Sequence, residues 1–316
     1  MDTFGGKRAV VTGGGSGMGR ELVVQLAEAG CSVATCDVNA TGLAETASRA
    51  AHAAGRVTTH ICDVSDRQQV ARLHAEVIAA HGGVLELLFN NAGIGGAGSF
   101  VVDDPEDWER IFAVDFFGVY NCSRAFLPEL MAADEAVLIN TSSVNGFWAS
   151  LGPGIPHTAY STAKFAVKGF TEALIEDFRL NAPHVKVAVV MPGHIGTDIV
   201  ANSRRYFGQP EPDAMGEEDL VPMRESLARQ GVDAESLSLD DLRGVRKLME
   251  EGFRTTAPLD AAGAATVILD GVRAGKWRIL VGDDAARLDE QVRADPEAAY
   301  DHQGIGLDTI NLTAGS

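Results

Sequence analysis

The chain has 316 residues, which fits one large α/β domain or two smaller ones. Hydrophobic residues make up 46% and charged residues 22%, the balance of an ordinary soluble globular protein. The 26 Lys and Arg against 44 Asp and Glu leave a net charge of −18, which repels phosphate backbones and anionic membranes and argues against nucleic-acid binding.

Short β-branched runs alternate with helical stretches from the start. RAVVT (8–12) predicts a first strand, and the glycine-rich TGGGSGMG (12–19) leads from it into a first helix. Gly13, Gly17 and Gly19 follow G-x-x-x-G-x-G spacing, with Ser16 and Met18 in the same turn. Glycines there allow a tight turn and close approach of a pyrophosphate, which a helix N-terminus favours electrostatically. CSVATCD (31–37) predicts the second strand, ending in Asp37 about twenty residues after the glycines. A carboxylate at that point accepts hydrogen bonds from both adenosine ribose hydroxyls and repels a 2′-phosphate. Neither Ser16 nor Val38 supplies positive charge, so NAD is favoured over NADP. Gly55 sits where the next helix is expected to end. VTTHICD (57–63) predicts the third strand, closed by Asp63 and followed by Val64. Asp63 suits either an acceptor for the adenine amino group or an ordinary helix cap. Ser65 with Gln68 suits a capping box ahead of Val70, Leu73 and Val77.

LELLFNN (85–91) reads as the fourth strand, and Asp104-Pro105 as N-cap and first residue of a long helix over 105–131. AVLINTSS (136–143) reads as the fifth, ending in Ser143. VNGFWASLGPGIPHTA (144–159) is a Gly- and Pro-rich loop, with Phe147 and Trp148 as candidate pocket contacts. Packing against a lid or a neighbouring subunit is the alternative for both. AYSTAK (159–164) puts Tyr160 and Lys164 one turn apart on one helical face. VKVAVVMPG (185–193) reads as the sixth strand. The stretch 198–257 then interrupts the alternation with two amphipathic helices, in PMRESLARQG and SLDDLRGVRKLMEEG. Leu242, Val245 and Met249 share one face of the second. An insertion at the C-terminal edge of a parallel sheet is placed to cover a ligand, and Tyr206 and Phe207 near its start are candidate substrate contacts. A helix near 260–274 and a last strand, WRILVG (277–282), complete the pattern.

The order predicts a Rossmann-type doubly wound parallel sheet of about seven strands, with helices on both faces and an enlarged lid. Residues 1–283 form one domain, and 284–316 an acidic tail that reads equally as a surface helix with a frayed end or as a subunit contact. The four cysteines show no C-x-x-C pair and no histidine at ligand spacing. No metal site is expected, and the thiols read as buried and free in a cytoplasmic protein. No signal peptide is recognisable, and no window approaches the roughly 18 apolar residues of a membrane span. His157 and His194 are assigned no catalytic role.

TGGGSGMG (12–19), Asp63-Val64, NNAG (90–93), Ser143, Tyr160-x-x-x-Lys164 and PG-x-I-x-T (192–197) occur in the order of the classical short-chain dehydrogenases/reductases. The chain resembles that family over about residues 5–283. The resemblance implies hydride transfer between NAD and a small-molecule secondary alcohol or ketone, with Tyr160 as general acid/base. Free tyrosine has a pKa of about 10, too high for a base near neutrality, and an ammonium one turn away lowers it. Lys164 would also bind the nicotinamide ribose, and Ser143 would hold the substrate oxygen. Asn91, Ala92 and Gly93 would wall the cofactor, while Ile195 and Thr197, after Pro192 and Gly193, would hold its carboxamide. One residue departs from the family. Asp115 stands where an asparagine normally holds a water in a proton path, and its charge would weaken the drive of Lys164 on Tyr160 if the two pair closely. The enlarged lid suggests an apolar, bulky substrate; steroid-like, terpenoid and aromatic alcohols fit equally, and acyl-carrier-protein substrates fit poorly. A homodimer or homotetramer through helices near 105–131 and 158–181 is implied. The rival reading, a cofactor-sensing binding protein, rests on Asp115. An isomerase or epimerase with tightly held NAD ranks below both, since such relatives carry a different glycine spacing.

Overall fold

The computed structural model describes residues 1–301 except Ala97, Pro153, Gly154, Gln230 and the side chain of Arg229. Residues 302–316 of the acidic tail, Pro153 and Gly154 of the loop, and Gln230 of the expected PMRESLARQG helix therefore lie outside the described residues. Nine strands are described: β1 (Arg8–Thr12), β2 (Ser32–Asp37), β3 (Val57–Ile61), β4 (Leu87–Asn90), β5 (Ala136–Thr141), β6 (Val185–Pro192), β7 (Ile195–Gly196), β8 (Leu259–Asp260) and β9 (Arg278–Val281). Seven of them form one sheet in the order β3-β2-β1-β4-β5-β6-β9, parallel throughout. The order reverses between β1 and β4, and the crevice beyond the carboxyl ends there is where such sheets take ligands.

Successive strand residues feed opposite layers, as the two-residue period requires. Ala9 and Val11 pack with Leu22 and Leu26 of α1 (Gly17–Glu28), while Val10 points to the other layer with Leu73 and Phe126. The first layer is completed by α10 (Ala261–Arg273), through Ala264, Ala265 and Ile268. The second is built on α3 (Arg67–His81), α5 (Gly118–Met131) and α6 (Thr158–Asn181). Burial on both faces explains why the strands read as unbroken apolar runs.

Several local expectations change. The Ser65–Gln68 capping box does not form. Asp66 caps α3, accepting from the backbone N–H of Gln68 at 2.8 Å, while Ser65 donates to Asp63. A carboxylate one residue later is the stronger acceptor for the free amides of a first turn. Gly55 is not a helix end either: α2 (Ala40–Arg49) has already stopped, and a Cβ at Gly55 would stand 1.9 Å from the Cys31 carbonyl oxygen. The expected helix over 105–131 is continuous but not uniform: a π-helical turn at Ala113–Phe117 lies between α4 (Pro105–Phe112) and α5. Asp104 and Pro105 start α4 as cap and first residue.

The lid holds three helices: α7 (Ile199–Tyr206), α8 (Glu217–Arg229) and α9 (Leu239–Thr255). α7 was not expected, and α8 begins five residues before PMRESLARQG. Met215, Leu220, Leu227, Ala234 and Leu242 give the lid its own small core, with Val245 against it. The short parallel pair β7–β8 joins its two ends, matching Ile195 with Leu259.

The tail begins as α11 (Asp283–Ala294) and packs behind the Ser143 loop. This corrects the role expected of Trp148, which does not line a pocket. Its side chain is 1% exposed among Val144, Ala285, Leu288 and Ala299, and its Nε1 donates to the Ala299 carbonyl at 2.7 Å. Phe147 packs beside it, with the Arg278 guanidinium 5.8 Å from its ring. An indole with a satisfied N–H gains more from this dry contact than from a wet cleft. Trp148→Ala should cost about 3–5 kcal/mol in denaturant unfolding. It should also raise amide exchange in 283–300, whereas an unchanged midpoint would show that the tail is not held by this residue.

Candidate active site

The turn after β1 is shaped for close approach. Gly13 and Gly17 have φ of +71° and +50°, and a Cβ at Gly19 would stand 2.0 Å from the Gly13 carbonyl oxygen. The Asp37 carboxylate closes the turn, accepting from the N–H of Gly15 and of Asn39, each at 2.9 Å. An open backbone cradle, a helix N-terminus and a carboxylate beside it fit the pyrophosphate and ribose of a dinucleotide. The nearby cation Arg20 is already engaged, 2.6 Å from Glu45 and bonded to Thr46 Oγ1 at 3.1 Å.

Thr12 welds this turn to the next strand. Its Oγ1 accepts from the N–H groups of Asn91 and Ala92 at 3.0 Å each, which sets NNAG against Gly13. Deeper, Asn90 donates to Asn140 at 2.8 Å, and Asn140 to Thr171 at 2.9 Å. Ser142 Oγ donates to the Lys164 carbonyl at 2.7 Å. These bonds fix α6 in register with β4 and β5, so that Tyr160 and Lys164 face Ser143.

Ser143 caps a short 3-10 turn, accepting from Asn145 N–H at 3.1 Å, and its hydroxyl is near enough to Tyr160 to favour the phenolate. The Lys164 ammonium lies 5.2 Å from the Tyr160 ring centroid and donates to the Thr141 carbonyl at 3.3 Å. It also pairs with Asp115 Oδ2 at 3.2 Å, with both side chains buried, 3% and 0% exposed. The π-helical turn is what delivers Asp115, whose other oxygen accepts from Ile94 N–H at 2.8 Å.

Burial sets the balance at Tyr160. Burial lifts the Tyr160 hydroxyl, and although Lys164 and Ser143 oppose that, Asp115 adds to the rise, leaving Tyr160 above its ordinary value. Burial drags the Lys164 ammonium down, but Asp115 and then Tyr160 outweigh it and hold it above the usual lysine value. Lys164 thus stays charged and does lower Tyr160, but burial, with Asp115 behind it, outweighs that pull. His157 was given no role, yet its ring lies 4.8 Å from that of Tyr160, and burial pulls its imidazole down to about 4. It is a neutral wall of the site near pH 7.

On the other side of the cleft, the Ile195 side chain is in the core and its main chain pairs with Leu259, while Thr197 lies against Gly17. Helix α7 spans the opening. Asn202 donates to Ser16 Oγ at 2.9 Å, Ser203 Oγ accepts from Gly95 N–H at 2.8 Å, and Tyr206 donates to Asp63 Oδ2 at 3.2 Å. Tyr206, expected to meet substrate, is instead bonded to Asp63 beyond the end of β3; Phe207 lies against Tyr206 and Gly96. Sequence reasoning missed α7, which starts without a side-chain cap, and it missed Asp284 at the head of the tail helix. Asp284 accepts from His194 N–H at 2.7 Å and so fixes the loop after β6, while His194 Nε2 meets the Phe253 carbonyl of α9 at 2.7 Å. Among the described residues no helix is long and apolar enough to cross a membrane, and no cluster of metal-ligating side chains is found.

The short chain dehydrogenase family model matches residues 7–206, ending with α7. SadH of Mycobacterium tuberculosis is 41% identical over 211 residues, 67% of this chain and 75% of its own length. The 2-keto-3-deoxy-L-fuconate dehydrogenase of Xanthomonas campestris is 32% identical over 207 residues, 65% of this chain and 64% of its own. Among solved structures, a short chain dehydrogenase/reductase from Burkholderia phymatum in complex with NAD superposes with a TM-score of 0.74 at 28% identity, covering 94% of this chain and 95% of the other.

Gly193 tests the loop after β6. A Cβ there would stand 2.3 Å from an Asp284 oxygen, and the short buried carboxylate has no room to yield. Gly193→Ala should break the Asp284–His194 bond, cost about 1–3 kcal/mol and weaken NADH binding. Unfolding and NADH fluorescence titration measure both; a variant as stable and as tightly binding as the parent would show that the loop is not fixed from the tail.

Proposed function

The chain belongs to the short-chain dehydrogenases, a family of oxidoreductases, and from that premise we propose an NAD-dependent enzyme that interconverts a secondary alcohol and its ketone. The observation that carries the reading is the convergence of Ser143, Tyr160 and Lys164 beside the glycine turn. When bound, the nicotinamide supplies the hydride acceptor or donor. The chain's own residues handle the proton and the positioning. Ser143 holds the substrate oxygen next to the Tyr160 hydroxyl, and Tyr160 takes the alcohol proton during oxidation or returns it during reduction. Lys164 steadies the phenolate, and Asp115 moderates that help. NAD is favoured because Asp37 repels a 2′-phosphate and Arg20 is already paired with Glu45. An apolar substrate is supported by Ile94, Trp108, Ile111 and Phe207, which share a cluster with Tyr160. Exposed Phe117, Tyr120 and Phe165 support self-association through α5 and α6.

One observation favours a second reading, a cofactor-sensing protein with weakened turnover: the close Asp115–Lys164 pair. Tyr160→Phe separates the two. In an enzyme it should lower kcat/KM for ketone reduction by about a thousandfold while leaving NADH binding within a few-fold. A parent protein with no turnover on any of a graded ketone panel, yet binding NADH, would favour the sensor. Asp115→Asn removes a charge that raises Tyr160, so the rising limb of the pH–rate profile for alcohol oxidation, where the phenolate is the active form, should move to lower pH. An unmoved limb would refute the role given to Asp115.

A further inference from the structure

The Asp115–Lys164 pair bears on the cofactor's redox state as well as on the proton. This rests on the NAD reading above and deepens it. The oxidised nicotinamide ring carries a positive charge and the reduced ring none. A lysine that holds the nicotinamide ribose with no counter-ion sets a full positive charge against the oxidised form. In this chain a carboxylate stands 3.2 Å from the lysine nitrogen. The two side chains, with a neutral tyrosine, sum to zero. Both are shut away from solvent, at 3% and 0% exposed, so mobile ions screen the pair little. The backbone at Gly93 lies against both heads, where a Cβ would stand 3.2 Å from Lys164 Nζ and 3.3 Å from Asp115 Oδ1. Asp115 is held there by the Ile94 N–H and by the π-helical turn rather than by a flexible surface contact.

We infer that Asp115 is a specificity-determining residue for cofactor redox state, biasing the site toward NAD+ over NADH. The bias loads the protein with the form that accepts a hydride from an alcohol. It acts on the ratio of the two affinities, because contacts to the pyrophosphate and adenosine are common to both forms and cancel.

The experiment measures dissociation constants of NAD+ by calorimetry and of NADH by fluorescence, on the full chain at pH 7. It compares the parent with Asp115→Asn and Asp115→Ser, checking each by circular dichroism, and with Asp115→Glu. Either neutral variant that folds serves. It should raise the ratio Kd(NAD+)/Kd(NADH) roughly tenfold, the effect of one buried unit charge near the ring, while Asp115→Glu keeps the ratio near the parent value. A neutral variant that binds both forms with an unchanged ratio overturns the inference and leaves the NAD reading standing. Should both neutral variants unfold, the parent decides: one that binds NADH more tightly than NAD+ would also overturn it. A parent that binds neither form overturns the NAD reading itself, and the inference with it.

Discussion

A buried ammonium cannot be left alone, and much of this site is arranged around that constraint. Lys164 meets a carboxylate at 3.2 Å and a strand carbonyl at 3.3 Å, while its own backbone carbonyl accepts from Ser142. Through these contacts one side chain ties α6 to β5 and to the π-helical turn. The turn carries one extra residue in the helix, and the wider winding turns Asp115 inward while Phe116 and Phe117 pack outward on neighbouring aromatics. Removing one partner of such a pair strands the other charge, whereas an uncharged amide in place of Asp115 would leave Lys164 to its carbonyl and a water.

The polar seam at the switch point solves a related problem. Three strand ends meet where the sheet changes direction, and each brings main-chain groups that the ladder no longer satisfies. Thr12 answers two of those groups, the amides of Asn91 and Ala92, and Asn90, Asn140 and Thr171 continue the seam by side-chain bonds across β4, β5 and α6. Because each is buried, the seam admits little slippage, and the spacing between the glycine turn and the Ser143–Tyr160 contact follows from it.

The sheet was legible because its strands are buried on both faces, so each reads as an apolar run ended by a functional residue: Thr12, Asp37, Ser143, Pro192. The glycine turn was legible for a steric reason, since the positions next to Gly13, Asp37 and Asn91 leave no room for a Cβ. What the chain did not announce was side-chain direction in its irregular parts. Trp148 lies five residues from Ser143 in sequence, yet its indole turns away to a partner about 150 residues downstream. Tyr206 likewise reaches Asp63 rather than Tyr160. No local periodicity encodes such contacts. Asp115 was visible as an odd residue, but its consequence depended on a distance to Lys164 that only the folded chain supplies.

The lid and the tail therefore divide the work beyond the shared domain. The tail grips the catalytic side from behind, through Asp284 on the His194 amide and Trp148 on Ala299. The lid lies across the front, where α7 touches the glycine turn at Ser16, the NNAG strand end at Gly95 and the third strand at Asp63. His194 joins the two systems, since its amide is held by the tail and its ring by the α9 carbonyl of Phe253. Through His194 the lid helix and the tail helix thus bear on one and the same loop, the one between β6 and β7.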